Sequence, residues 1–125
     1  MKSRLRLLLV EDEPLIRVAL ADALERAGYP TIESGSGQDA ISQLELASFA
    51  AVVTDIRLGV GLSGWDVARF ARQQHPRIAV VYMTGDSAFD WASEGVPTSV
   101  MVQKPFAIAQ MITAVSSLLI SAGPF

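Results

Sequence analysis

"AVVTDIRLG", residues 51–59, is the stretch whose reading decides the fold. Four apolar or small residues suited to a buried strand run straight into the carboxylate of Asp55, and the chain then turns. A buried charge is costly unless it is paired or metal-bound. A core strand that ends on an aspartate therefore asks for a partner beyond its end.

The same pattern, an apolar run meeting polar residues, recurs on either side. Residues 5–10 form an apolar run of strand length that stops at Glu11, Asp12 and Glu13. Pro14 suits the first turn of a helix. Leu15, Ile16, Ala19, Leu20, Ala23, Leu24 and Ala27 follow at helical spacing until Gly28 ends the run. Residues 31–33 read as a weaker second strand, followed by the turn-prone SGSG (34–37) and a helix through Ala40, Ile41 and Leu44. After Asp55 the glycine-rich RLGVGLSG (57–64) leads to a helix over 65–74. His75 and Pro76 close that helix, and His75 reads as an exposed end residue rather than a ligand. Residues 78–83 form the most apolar strand; TGDS (84–87), a short segment through Phe89 and Trp91, a fifth strand over 99–102 and a final helix complete the chain. Near-continuous apolar strands alternating with helices predict a parallel sheet covered on both faces. With right-handed crossovers this is a doubly wound α/β domain.

The bulk numbers narrow the function. The chain has 125 residues, enough for one domain with a real core. Its net charge of −3 argues against nucleic-acid binding through bulk electrostatics. Lys2, Arg4 and Arg6 read as a solvated strand end. The absence of cysteine excludes disulfides and thiolate chemistry and fits a reducing, cytoplasmic compartment. No charged residue follows Lys104, a length that suggests a membrane span. Yet Gln110, Thr113, Ser117 and Ser121 recur at helical spacing opposite Ile108, Met111, Ile112, Val115, Leu118 and Leu119. One wet and one buried face predict a packed helix and no span.

In sheets of this kind ligands sit beyond the carboxyl ends of the strands. The first strand delivers Glu11 and Asp12 there, the third Asp55, the fourth Thr84, and the fifth Lys104 followed by Pro105. Each alone has a plain structural reading: acids serving a helix dipole, a turn aspartate, a helix-capping threonine, a surface lysine. Together they describe a chemistry. Two carboxylates about 5 Å apart repel by roughly 3 kcal/mol at an effective dielectric near 20. Three of them need a cation or must take up protons. An all-oxygen set suits Mg²⁺. A carboxylate can carry a phosphoryl group as an acyl phosphate, with an ammonium and a hydroxyl holding the phosphoryl oxygens.

The ordered set LLVEDEP, VVTDIRL, YMTGD and VQKPF strongly resembles the receiver domain of bacterial two-component response regulators, from Leu5 to about Ser121. The resemblance implies a flavodoxin-like five-stranded sheet of order 2-1-3-4-5 with five helices. It implies that Asp55 is the phosphoacceptor, served by a histidine kinase or phosphotransfer protein. Asp12 would bind Mg²⁺ directly and Glu11 mainly through water, with Asp55 and the backbone carbonyl of Arg57 completing the metal site. Thr84 and Lys104 would hold the phosphoryl oxygens, and Pro105 matches a lysine–proline step that is often cis in the family.

Departures from the pattern carry their own expectations. Met101 stands three before the lysine, where relatives often have an aromatic switch residue; it cannot reproduce a ring's shape or hydroxyl, so the usual threonine–aromatic coupling is not expected here, and its plain reading is that it fills space. Gly64 lies one residue later than is common. Arg57 and Asp86 occupy rim positions and either pair across the pocket, slowing attack by water, or are solvated charges. Phe89, Trp91 and the final helix form either a docking or dimerisation face of the fourth and fifth helices or part of the core. The chain reads as a single receiver domain over 1–125 without an output domain, acting through a downstream protein partner. The alternatives are a receiver segment of a hybrid histidine kinase or larger regulator, and a metal-dependent aspartyl-phosphate phosphatase. Arg57, standing where such phosphatases place a second acid, argues against the latter. A nucleotide-binding module lacks a phosphate loop at a central switch point.

Overall fold

The computed structural model describes residues 6–121. Five parallel strands, β1 (Leu7–Val10), β2 (Thr31–Ser34), β3 (Ala51–Asp55), β4 (Ala79–Thr84) and β5 (Ser99–Gln103), form one sheet in the order β2-β1-β3-β4-β5. The helices are α1 (Pro14–Arg26), α2 (Gly37–Leu46), α3 (Gly64–Gln74), α4 (Trp91–Glu94) and α5 (Ile108–Ser121). This is the predicted doubly wound flavodoxin-like architecture.

The apolar runs are continuous because both faces of the sheet are covered. Leu7, Leu9, Val53, Val81 and Met83 pack with Leu20 and Leu24 of α1 and with Met111, Val115 and Leu119 of α5. Residues of the opposite parity, Leu8, Val10, Val52, Val80 and Tyr82, pack with Ala40 and Leu44 of α2 and with Val67, Ala68 and Ala71 of α3. Period-two side-chain alternation thus splits the core into two layers.

Helix starts follow local chemistry. Ser36, in the SGSG turn, caps α2 by accepting a hydrogen bond from the Asp39 N–H at 3.1 Å. Ser63 and Asp66 form a reciprocal capping box at the start of α3. Pro14 opens α1.

Several expectations need correction. Asp55 ends β3, as expected of a core strand closing on an aspartate, and Ile56 continues the ladder by donating its N–H to the Met83 carbonyl, so the plain reading of Asp55 as a turn residue does not hold. In α5, Met111, Val115 and Leu119 are buried and Gln110, Thr113 and Ser117 exposed, as expected. Ile108 is exposed, however: it is the first residue of the helix and lines an open groove with Leu15 and Ile16. The Ser121 side chain lies outside the described residues, as do Lys2 and Arg4. Arg6 is not simply solvated; it donates to the Ser48 carbonyl and lies over the Phe49 ring at 5.0 Å. His75, half-buried, terminates α3. Among the described residues no helix is long and apolar enough to cross a membrane.

Candidate functional site

Parallel pairing in register brings every strand to the same edge. Val10 stands beside Thr54, Asp55 beside Met83, and Thr84 beside Gln103. Residues just past each strand end therefore converge. Glu11 prolongs the line of β1 by donating its N–H to the Ser34 carbonyl, while the Arg17 guanidinium holds the Glu11 carbonyl at 3.0 Å. The Lys104 N–H donates to the Thr84 carbonyl at 2.7 Å, which aims its side chain across the sheet edge.

Side-chain oxygens of Glu11, Asp12 and Asp55 lie within 4.8 Å of one another. Glu11 is 1 % exposed and Asp55 8 %, whereas Asp12 is open to solvent. The Lys104 ammonium donates to Asp55 Oδ2 at 2.9 Å and to Glu11 Oε1 at 3.4 Å. Four charged groups so close disturb each other. Burial raises the Glu11 carboxyl, and the nearby charge of Asp55 adds to this; the Glu13 N–H on Oε2 and the Lys104 charge oppose it. Burial alone would lower the Lys104 ammonium, but hydrogen bonding and charge from Asp55, then Glu11, outweigh it and raise it. One ammonium faces three carboxylates. An all-oxygen set with surplus negative charge fits a hard divalent cation such as Mg²⁺.

Thr84 is buried at the end of β4, and its hydroxyl oxygen accepts from the Ser87 N–H at 2.8 Å and the Asp86 N–H at 3.3 Å. The oxygen closes the turn after β4 rather than capping the helix that starts at Ala88, and the hydroxyl retains its own proton to donate. Arg57 and Asp86 do pair, with Arg57 Nε 2.9 Å from Asp86 Oδ2, both well exposed. Of the two alternatives for these charges, the structure realises the pair.

Two glycines shape the loop between Asp55 and α3. A Cβ on Gly64 would stand 2.1 Å from the Asp55 carbonyl oxygen, so only glycine lets α3 begin against the end of β3. Gly59 adopts φ +77 beside Asp12, in the left-handed region that favours glycine. The Lys104–Pro105 peptide bond is cis.

Met101 pairs with Tyr82 across the β4–β5 ladder and packs into the layer holding Trp65, Tyr82 and Val96. Phe89 is 98 % exposed, which removes it from the core, and the Trp91 indole donates to Ser99 Oγ at 3.0 Å. The sequence reading missed two residues. Ser87 is buried, its hydroxyl on Asp86 Oδ1. Tyr82, fully buried, accepts the Val96 N–H on its hydroxyl at 3.0 Å. A lone hydroxyl-bearing ring within an apolar strand was the available signal for Tyr82, because a buried phenol needs a partner.

Comparison with known proteins bears on the family and the fold. A family model described as the response regulator receiver domain matches residues 7–116. The response regulator receiver protein CpdR of Brucella abortus is 29 % identical over 119 residues, covering 94 % of this chain and 98 % of that protein. Other curated relatives are longer; in two of them the matched region is 37 % and 19 % of the length. The crystal structure of a response regulator receiver protein from Sinorhizobium medicae superposes with a TM-score of 0.93 at 41 % identity, covering 98 % of this chain and 99 % of that one. A receiver domain of the sensor histidine kinase PA1611 from Pseudomonas aeruginosa shares the fold, with a TM-score of 0.79 at 23 % identity over 93 % of this chain and 98 % of that one. It is described with a magnesium ion coordinated in its active site cleft.

Proposed function

This chain belongs to the response regulator receiver domain family, a family of signalling domains in two-component systems, and from that premise we propose that Asp55 is its phosphoacceptor. The observation that carries the reading is the Lys104 ammonium held 2.9 Å from Asp55, with Glu11 and Asp12 oxygens in the same cluster. A carboxylate oxygen of Asp55 attacks the phosphorus of a phosphohistidine on a histidine kinase or phosphotransfer protein. The new P–O bond forms as the P–N bond breaks, and the departing imidazole takes up a proton. Lys104 then moves its charge-assisted hydrogen bond from the carboxylate to a phosphoryl oxygen, and the Thr84 hydroxyl donates to another. Glu11 stays buried and keeps Lys104 oriented.

Glu11, Asp12, Asp55 and the Arg57 carbonyl would hold Mg²⁺, as an acidic cluster in the family typically does. When bound, that ion supplies positive charge against the phosphoryl oxygens and offsets the carboxylate surplus. The Arg57–Asp86 pair stands over the rim and hinders attacking water.

The phosphorylated receiver domain acts through a protein partner in the cytoplasm. Phe89, in the turn before α4, and Trp91, the first residue of α4, form the docking face for a downstream protein or a second copy. Light scattering over a dilution series, with and without phosphoryl donor, distinguishes these two occupants.

Intact-mass analysis with Mg²⁺ and acetyl phosphate tests the central reading. One phosphoryl adduct is expected on the parent chain, lost without Mg²⁺ and lost in Asp55→Asn. An adduct that persists in Asp55→Asn would refute it.

A further inference from the structure

The connection from β4 to β5 is held in two unlike ways. Its far part is fastened to α3 and to the core. Arg69 donates to both the carbonyl and the carboxylate of Glu94, and Arg72 donates to the carbonyls of Pro97 and Thr98. The Tyr82 hydroxyl accepts the Val96 N–H at 3.0 Å, with the Tyr82 ring 4.7 Å from that of Trp65. Thr98 adopts φ +58, a conformation a β-branched residue keeps only when its surroundings enforce it.

The near part has weaker fastenings, apart from the Trp91 indole on Ser99 Oγ at 3.0 Å, where it meets the far part. No residue of the 3-10 turn Ala88–Asp90 or of α4 is buried. Residues 86–87 are tied by the Thr84 hydroxyl and by the exposed Arg57–Asp86 pair. Both ties involve groups that a phosphoryl group on Asp55 would engage. Its oxygens call on the Thr84 hydroxyl, and its added charge of about −1.5 to −2 attracts Arg57 and repels Asp86. None of the far-part contacts has a partner at the acidic cluster. A ligand shifts an equilibrium only through contacts that differ between states, and here those contacts lie at one end of the connection.

We propose that Tyr82, with Arg69 and Arg72, fixes a hinge at residues 94–98, about which phosphorylation re-sets residues 86–93 together with Phe89 and Trp91. Tyr82 is a positioning residue: it touches no reacting atom, but decides where the movement stops. The hinge replaces the coupling that an aromatic at Met101 would provide, by moving the ring to β4. Gly95 permits the tight wrap at the pivot, since a Cβ there would lie 2.4 Å from Trp91 Cδ1. The inference rests on Asp55 accepting the phosphoryl group.

Amide hydrogen exchange on the full chain, in the presence of Mg²⁺ and acetyl phosphate, tests it, with intact mass read on the same sample. Where the adduct forms, exchange should change several-fold across 86–93 and remain near its starting value across 94–98. Tyr82→Phe keeps the ring and the fold. It should accept phosphate as the parent does, exchange the Val96 amide about fivefold faster without donor, and let the donor response spread into 94–98. An adduct accompanied by equal responses in the two segments of the parent would overturn the hinge, as would a Tyr82→Phe chain indistinguishable from it. An adduct that never forms overturns the phosphoacceptor reading instead, and the hinge with it.

Discussion

At the amino edge of the sheet the Arg72 guanidinium spreads over the carbonyls of Ile78, Pro97 and Thr98, and backbone pairs such as Leu7 with Pro30 and Ala79 with Ala50 close the strand starts. At the carboxyl edge Glu11 and Asp55 share the ammonium of Lys104, with the Asp12 carboxylate in the same cluster. One edge uses its charge to satisfy backbone groups that folding would otherwise strand; the other leaves negative charge in surplus, which suits a divalent cation. The difference teaches where stability and function part company. An acidic cluster of this kind lowers stability in exchange for binding, and the remainder of the fold supplies what it lacks.

The sharpest way to break that division is Gly64→Ala. It lies at the functional edge, yet its expected effect is on stability, because the added methyl meets the Asp55 carbonyl oxygen at 2.1 Å. A loss of about 3 kcal/mol or more in urea unfolding is expected. Next comes Arg72→Ala at the opposite edge, expected to cost about 2 kcal/mol while leaving the yield of phosphoryl adduct unchanged. A fall in adduct at preserved stability would show that the two edges are not separable.

Asp12→Asn sharpens the comparison from the other side. Removing one carboxylate from the cluster should raise stability in metal-free buffer by about 1 kcal/mol. The stabilisation that Mg²⁺ gives the parent, measured as a rise in Tm, should largely disappear in this variant. Chelating the metal should move the parent Tm down and the variant hardly at all. The smallest stability effect belongs to Arg57→Ala, within about 0.5 kcal/mol, because both partners of its ion pair with Asp86 are exposed. Its readout is kinetic: the phosphoryl adduct should decay faster once water is less hindered. Unchanged decay would assign the pair no part in the site.

Much of the site was legible in one dimension. Glu11, Asp12, Asp55, Thr84 and Lys104 each follow an apolar run, and a parallel sheet must bring such positions to one edge. The amphipathic α5 was legible for the same reason, since Met111, Val115 and Leu119 recur at helical spacing. Ile108 shows the limit, because periodicity assigns a face without knowing where the cover ends. Phe89 had two readings that only its neighbours could separate.

The sequence by itself determined the alternation of strands and helices and the kinds of group that meet at the carboxyl edge, because both follow from short-range patterns of apolar and polar residues. Tertiary structure alone decided that Glu11 is the buried acid, that Lys104 bonds to Asp55 and Glu11 across 49 and 93 residues of chain, and that Tyr82 secures Val96. Burial and pairing depend on distances between residues remote in the chain, and no local pattern carries them.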